Sequence, residues 1–391
     1  MKLSLIQGIA TIVITLLGSG VFIVPALSAT YSGWAALVLW LVIALMILPV
    51  AFVFGKLGIM YPSAGGSATF VKEAFGEKMG FAAKLLYLSI IPIGPPVVII
   101  TAASYLAGAF GSEYLIEFIF LASGIILILN LISLRVSSNI NIAVAVTIIT
   151  IISTFFTVSL FQVFHINAHE FHIIKTLGII FWCFVGIEAM SHISHEFKNE
   201  NDFFKAVVIG IITVAFMYMA ITFSLLVFNT YGSEYKNLHS LVSVASHIMP
   251  YADKIMAVVA FIICIMALNL YVASLTRLAT TLNIGFKKAL FVIMGIILTV
   301  SVLKFMFDFK VDLLITYSNG VFVLIYFLVS LSALKILKNK TALLAVVTMG
   351  IIITILGFDM MYALIMLGVF YILKKRFRKP RILQAVWKFF F

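Results

Sequence analysis

Long apolar stretches separated by short polar connections make up almost the whole chain of 391 residues. A helix rises about 1.5 Å per residue, so about 20 apolar residues cross the roughly 30 Å hydrocarbon core of a bilayer. The pattern predicts twelve such spans, at 5–30, 34–58, 82–110, 114–134, 138–164, 173–195, 204–228, 253–282, 288–307, 311–335, 341–358 and 360–373. We therefore expect an all-α polytopic membrane protein.

The first span is interrupted near its middle. The motif GSGVF at 18–22, with Pro25 just beyond it, breaks an apolar run that extends from Leu3 to Leu27. Glycine weakens a helix and proline removes a donor, so backbone groups are freed at bilayer depth. Lipid cannot bond them, and they need a cavity or a ligand. Close helix packing through small residues is the alternative interpretation.

The sixth span carries a second interruption, where Gly186 lies two residues before Glu188. A carboxylate at this depth costs about 2.5–3.5 kcal/mol on insertion scales, so Glu188 is expected to face a cavity or a polar partner. Five spans separate the two interruptions, so the second copy crosses in the opposite direction. Interrupted helices at corresponding places in two halves indicate a transporter site between repeats. This predicts inverted repeats at 1–164 and 173–336, then helices at 341–373 and a basic tail at 374–391.

The charge distribution predicts an orientation. The formal net charge is +12, but the basic residues follow the predicted topology and are not gathered on one face, which disfavours nucleic-acid binding. With a cytoplasmic N-terminus, five of the 26 Lys and Arg fall outside and 21 inside: the outside set is Lys175, Lys236, Lys254, Lys304 and Lys310. The positive-inside rule therefore favours two cytoplasmic termini in the cytoplasmic membrane, with the tail against anionic lipid.

Metal, cofactor and cleavage signals are weak. Cys183 and Cys264 both fall inside predicted spans and suggest neither a disulfide nor a thiolate site. The group His192, His195 and Glu196 lacks metal-motif spacing and a third ligand, so we expect neither metal nor cofactor. The first apolar stretch is too long for a signal peptide and should be retained.

Four ordered motifs resemble the amino acid/polyamine/organocation transporter superfamily: GSGVF at 18–22, YPSAGG at 61–66, FVGIE at 184–188 and EFKN at 196–199. Within it, the segments 181–186, 268–271, 317–322 and 362–367 are most similar to bacterial exporters of methionine and branched-chain amino acids. The resemblance implies a twelve-helix fold of five-plus-five inverted repeats, with alternating access. It also implies a secondary transporter for methionine, leucine, isoleucine and valine, with an importer or exchanger as the alternative direction.

Carried over by motif position, the resemblance assigns substrate binding to residues at the two breaks: Leu16, Gly18, Ser19, Gly20, Val21, Phe22, Trp182, Val185 and Gly186. The substrate carboxylate would lie on amides around Ser19, Gly20 and Val21. Its ammonium group would face carbonyls near Leu16, Trp182 and Val185. Trp182 and Phe22 would form walls or gates, although aromatic packing is the simpler interpretation of Phe22. Asn269 and Asn319 are candidates for lining the pathway, against interhelical hydrogen bonding and ordinary helix bending.

Two hypotheses remain for Glu188. It takes up and releases protons during transport, or its carboxyl bonds amides freed by the first helix and holds the breaks together. The fifth span offers Thr147 and Thr150 where some proton-coupled relatives carry a lysine. An intramembrane enzyme would need a nucleophile with a base, and a sensor a soluble output domain; neither pattern is evident in the sequence.

Overall fold

The computed structural model describes residues 2–18, 20–132, 134–163, 171–233, 236–237, 239–307 and 311–376. Within these ranges the regular structure is helical, apart from one isolated bridge between Leu3 and Phe197. The helices are α1 (Leu5–Leu17), α2 (Gly20–Ser32), α3 (Ala35–Met60), α4 (Ser67–Phe75), α5 (Glu77–Leu88), α6 (Gly94–Phe110), α7 (Leu115–Leu131), α8 (Leu134–Leu160), α9 (Ile173–Phe181), α10 (Ile187–Ser191), α11 (Glu200–Phe228), α12 (Ser240–Ser246), α13 (Ala252–Thr280), α14 (Phe286–Phe307), α15 (Val311–Leu337), α16 (Lys340–Leu356) and α17 (Met361–Arg376).

The described helices support a multi-pass membrane protein. Nine helical stretches in the described ranges are long and apolar enough to cross a bilayer; Ile173–Ser191 and Lys340–Val369 each combine two of the named helices. The helices α1 and α2, bent by 49°, make a tenth stretch if they form one span. The helix α6 is shorter than a full span, and Lys340–Val369 runs as one apolar stretch through a 3-10 turn at Gly357–Met360. The sequence predicts three spans more than these nine. The three differences lie at the bent pair, at α6 and at Lys340–Val369, which the prediction divides into two spans.

Both predicted interruptions are present. The helix α1 ends at Leu17 and is capped by Gly18, whose φ of +34° is disfavoured for residues with a Cβ, and α2 begins at Gly20. The second interruption follows α9 as a 3-10 turn at Trp182–Phe184, and the chain passes through Gly186 at φ +135° before α10 begins. Glycine at both points lets the backbone leave the helix without a steric penalty.

Neighbouring helices bring the two breaks together. The helix α1 packs against α8, α11 and α13, and the 3-10 turn of the second break contacts both α1 and α2. From α3, Trp40 stacks on Tyr218 of α11 with ring centroids 4.6 Å apart. The buried core of the protein therefore surrounds the unwound segments, as expected where lipid cannot bond them.

The N-terminal end of the first interrupted span is joined to the C-terminal end of the second. The amide of Leu3 donates to the carbonyl of Glu196 at 2.7 Å, and the amide of Lys198 donates to the carbonyl of Leu3 at 2.9 Å. A Cβ at Gly8 would lie 2.4 Å from the Phe197 ring, so only glycine allows this approach. The start of α1 and the turn after α10 thus form one connected layer at this end of the bundle.

Candidate functional site

A small cavity lies where the two breaks meet. It encloses about 50 Å³ and is lined by Thr15, Leu16, Leu17, Gly18, Gly20, Gly94, Pro95, Val98, Trp182, Val185, Ala267, Leu268, Tyr271 and Phe322. A water molecule needs about 10–15 Å³ on this measure, so the space holds only a few waters. In this conformation the space between the breaks is therefore small.

The first break is supported by a tyrosine from another helix. The hydroxyl of Tyr218 donates to the carbonyl of Leu16 at 2.8 Å and approaches the carbonyl of Leu17 at 3.1 Å. A Cβ at Gly20 would lie 2.8 Å from this hydroxyl and 3.0 Å from Cys183 Sγ, so the hydroxyl requires glycine there. Because α2 begins at Gly20, the amides of its first turn have no acceptor within the helix and form a partly positive end.

The second break contains a buried carboxyl group. Glu188 is fully buried, and its Oε2 accepts the amide of Gly186 at 3.0 Å. Tyr271 donates its hydroxyl to Glu188 Oε1 at 2.9 Å, and Tyr326 donates to Oε2. The Tyr326 oxygen also lies 3.3 Å from the Gly186 amide and 3.1 Å from the carbonyl of Phe184. Three donors thus satisfy a carboxylate that would otherwise be costly to bury.

This geometry differs from one detail of the sequence interpretation. The static hypothesis has the carboxyl bonding amides freed by the first helix, whereas the bonded amide belongs to Gly186 in the second break. The reason is local: Gly186 immediately precedes α10, and Glu188 is the second residue of that helix, so its side chain reaches back to the preceding amide as in a capping interaction.

Apolar and aromatic side chains form most of the cavity wall. Phe322 contacts Trp182 and Tyr271 edge to face, with centroid distances of 6.4 and 5.9 Å. The polar side chains in the wall are already engaged, since Tyr271 donates to Glu188 and the Thr15 hydroxyl donates to the carbonyl of Thr11 at 2.6 Å. Among the described lining residues, the remaining polarity comes from the main chain and from the indole N–H of Trp182.

The residues predicted to bind substrate are distributed unevenly. Those that line the cavity are Leu16, Gly18, Gly20, Trp182 and Val185. Val21, Phe22 and Gly186 are buried beside it but do not line it. The Phe22 ring packs on Tyr105 at 5.0 Å, and the Tyr105 hydroxyl donates to the Phe22 carbonyl at 3.1 Å, so Phe22 packs in the core in this conformation. Ser19 lies outside the residues that the structure describes.

The two asparagines lie away from this cavity. Asn269 of α13 accepts a hydrogen bond from Asn130 of α7 at 2.9 Å, which joins two helices. Asn319 of α15 donates to the carbonyl of Gly178 at 3.2 Å and lines a separate cavity of about 830 Å³ between α2, α9, α15 and α16. Through this hydrogen bond Asn319 contacts α9, the part of the sixth span that precedes the break.

Sequence reasoning missed Tyr218, Tyr271 and Tyr326. They come from α11, α13 and α15, and each hydroxyl bonds a group at one of the breaks. A tyrosine in the middle of an apolar span is itself a signal, because its buried hydroxyl requires a polar partner. Spacing along the chain does not identify that partner.

The fold and site define a class of protein. Residues 3–284 match the amino acid permease family, to which the chain belongs. The chain is similar to the L-methionine/branched-chain amino acid exporter of Escherichia coli (strain K12), with 32% identity over 96% of each chain. It is also 29% identical to an uncharacterised amino acid permease of Bacillus subtilis (strain 168), over 61% of this chain and 59% of that one. An arginine/ornithine antiporter of Pseudomonas aeruginosa is 27% identical over 52% of this chain and 47% of its own length.

Proposed function

We propose that this permease moves neutral apolar amino acids, namely methionine, leucine, isoleucine and valine, across the cytoplasmic membrane by alternating access, in the direction of export. The proposal is supported by a difference between the two breaks in how their main-chain amides are satisfied. The first break presents the positive end of α2 to the cavity, whereas Glu188 already neutralises the amide of the second. A positive helix end beside a fixed acidic side chain suits a zwitterionic substrate.

The charges at the two breaks favour one orientation of the substrate in this proposal. Its carboxylate lies on the amides around Ser19, Gly20 and Val21, because at the second break it would face Glu188. Its ammonium group points toward the carbonyls near Leu16, Trp182 and Val185. The Leu16 carbonyl already accepts from Tyr218 but keeps a second lone pair for this contact.

The composition of the cavity wall favours a substrate with an uncharged side chain. Glu188 is engaged by three donors, so it has little capacity left for a second cationic group such as a guanidinium. Arginine is the second candidate because of the antiporter relative, but that similarity covers 52% of the chain, against 96% for the exporter. The exporter similarity also favours export over import or exchange.

The architecture that goes with this function has twelve spans, inverted repeats at 1–164 and 173–336, and both termini in the cytoplasm. In this orientation the connected layer around Leu3 and Glu196 lies on the cytoplasmic side. Glu188 serves mainly as static support in this scheme, since each of its neighbouring donors is satisfied by the ionised carboxylate. Proton coupling then uses another group or none.

Flux in sided vesicles tests the proposal. Radiolabelled methionine, leucine or arginine is added outside inverted and right-side-out membrane vesicles, with and without a proton gradient, and uptake is compared with that of vesicles lacking the protein. We expect protein-dependent flux of methionine and leucine but not of arginine, with export visible as accumulation in inverted vesicles. Flux of arginine without methionine would overturn the substrate assignment, and accumulation only in right-side-out vesicles would overturn the direction.

A further inference from the structure

A fully buried histidine, His192, follows α10 directly at the lower end of the sixth span. Its Nδ1 lies 2.8 Å from the carbonyl of Ala64, and its ring stacks on Tyr87 with centroids 4.9 Å apart. A carbonyl can only accept, so Nδ1 carries the proton and the neutral ring leaves Nε2 as a bare acceptor. This Nε2 is buried and has no hydrogen-bond partner among the described residues.

The titratable groups that face the ring oppose a second proton. Lys84 comes from α5, Arg277 from α13 and His195 from the following turn, and each disfavours a charge on His192. Glu196 lies 3.6 Å from Arg277 and 3.8 Å from His195, and so balances those groups. Tyr87 of α5 presents its ring face to His192. Glu188, on the helix α10 that precedes His192, is bonded to its own donors. An imidazolium here would be buried, without an acceptor and beside cations.

Segments that meet at this end of the bundle enclose the ring. The amide of Ser67 donates to Ser191 Oγ at 2.9 Å, which seats the loop at 61–66 on the end of α10. A Cβ at Gly66 would lie 2.6 Å from His192 Nδ1, so the loop backbone covers the ring directly. Arg277 joins α13 to the same turn through Glu196. In this conformation these segments shield Nε2 from solvent.

We propose that His192 is a proton-binding site that fills only when this end of the transporter opens, so that cytoplasmic protons hold the inward-open conformation. The proposal rests on the alternating access and orientation given above. The conformation described here accepts only the neutral ring, so the proton must leave to the same side before closure. The site therefore senses cytoplasmic pH and carries no proton across the membrane.

The variant His192→Asn tests the site, because the asparagine amide can still donate to Ala64 but does not titrate. A solvent-exposed histidine has a pKa of about 6.5, so about nine-tenths of open transporters are protonated at pH 5.5 and few at pH 7.5. In inverted vesicles exchanging methionine, acidifying the cytoplasmic face over this range should slow the wild type about tenfold. His192→Asn should lose this dependence, and the half-exposed neighbour His195 provides the matched control His195→Asn, which should keep it.

A conformational readout makes the test independent of flux. An environment-sensitive fluorophore on Pro62→Cys, an exposed position of the covering loop, should shift its emission on acidification with a midpoint at or below about pH 6.5. The shift should vanish when His192→Asn, or His192→Gln if asparagine prevents folding, is added. An unchanged shift in the folded variant, or a wild type whose emission and flux ignore cytoplasmic pH, would overturn the proton site. A histidine-dependent shift without methionine flux would overturn the proposed function alone.

Discussion

The two interrupted spans expose main-chain groups at the same cavity, but different chemistry satisfies them. At the first break a neutral hydroxyl from Tyr218 bonds carbonyls, and the amides at the start of α2 keep their positive character. At the second break the buried carboxylate of Glu188 takes the freed amide, with two tyrosines completing its shell. The first break therefore keeps main-chain amides without a side-chain acceptor among the described contacts, whereas the second has a carboxyl group of its own.

Helix length reinforces this difference. The helix α2 has 13 residues, so its aligned peptide dipoles sum to a substantial positive end. The helix α10 has only five residues and contributes little of that kind. An acid in its first turn stabilises a short helix that has few internal hydrogen bonds. The proposed division of tasks, substrate binding at the first break and support at the second, agrees with this difference in helix length.

The largest expected effect comes from removing the carboxyl group of Glu188. Glu188→Gln replaces one of two acceptor oxygens by an NH₂ group, so a tyrosine hydroxyl that now donates to Glu188 must turn its proton elsewhere. A buried donor left without an acceptor costs about 1–3 kcal/mol. We expect a lower melting temperature and a low yield of monodisperse protein, measured by thermal unfolding and size-exclusion chromatography. Glu73→Gln is the matched control, because Glu73 is exposed on α4.

The same variant separates support from proton carriage. Residual transport by Glu188→Gln should keep the wild-type pH profile, since a supporting carboxylate exchanges no proton during the cycle. A well-folded variant that has lost its pH dependence would instead show that Glu188 carries protons, and the second break would then have an active part in transport.

The next effect tests the open first break. Gly20→Val places bulk 2.8 Å from the Tyr218 hydroxyl and within the wall of the cavity, so it should abolish methionine flux while the protein remains inserted. Flux in vesicles and membrane abundance on blots provide the two measurements. Gly124→Val is the control, because a Cβ at Gly124 meets nothing within 4 Å, and it should transport normally. Wild-type flux with Gly20→Val would remove this glycine from the site.

The breaks themselves were predictable, because glycine pairs and a buried acid in apolar runs violate the rules for a spanning helix. The count of spans was harder, since hydropathy divides Lys340–Val369 into two where the described helix continues through a 3-10 turn. Apolar content alone does not distinguish one long span with a turn from two short ones.

The supporting tyrosines could not be predicted from their positions in the sequence. Tyr271 and Tyr326 lie 83 and 138 residues from Glu188 along the chain, and only the packing of α13 and α15 brings them to it. The assignment of Phe22 to a wall also depended on which face of α2 points inward. In the structure α2 places that ring on Tyr105 and outside the lining of the cavity. Side-chain partners across helices are thus a tertiary property.

The smallest effects should come from removing one hydroxyl at each break. Tyr326→Phe takes a donor from the enclosed Glu188, so it should mainly lower stability, by about 1–3 kcal/mol. Tyr218→Phe releases the Leu16 and Leu17 carbonyls beside the cavity, where water can replace the hydroxyl. It should cost about 1 kcal/mol or less and raise the KM for methionine a few-fold. Thermal unfolding and KM are measured for both variants and for the double variant.

The double variant sharpens the comparison. The two hydroxyls share no hydrogen-bond partner among the described contacts, so their effects on stability should add to within about 0.5 kcal/mol. A strong coupling would mean that the breaks behave as one unit, since loss of support at the second would then alter the carbonyls of the first. Equal shifts in KM for the two single variants would lead to the same conclusion. We expect the effects on stability to add and the KM to change only in Tyr218→Phe. That result would indicate that the substrate contacts the carbonyls of the first break.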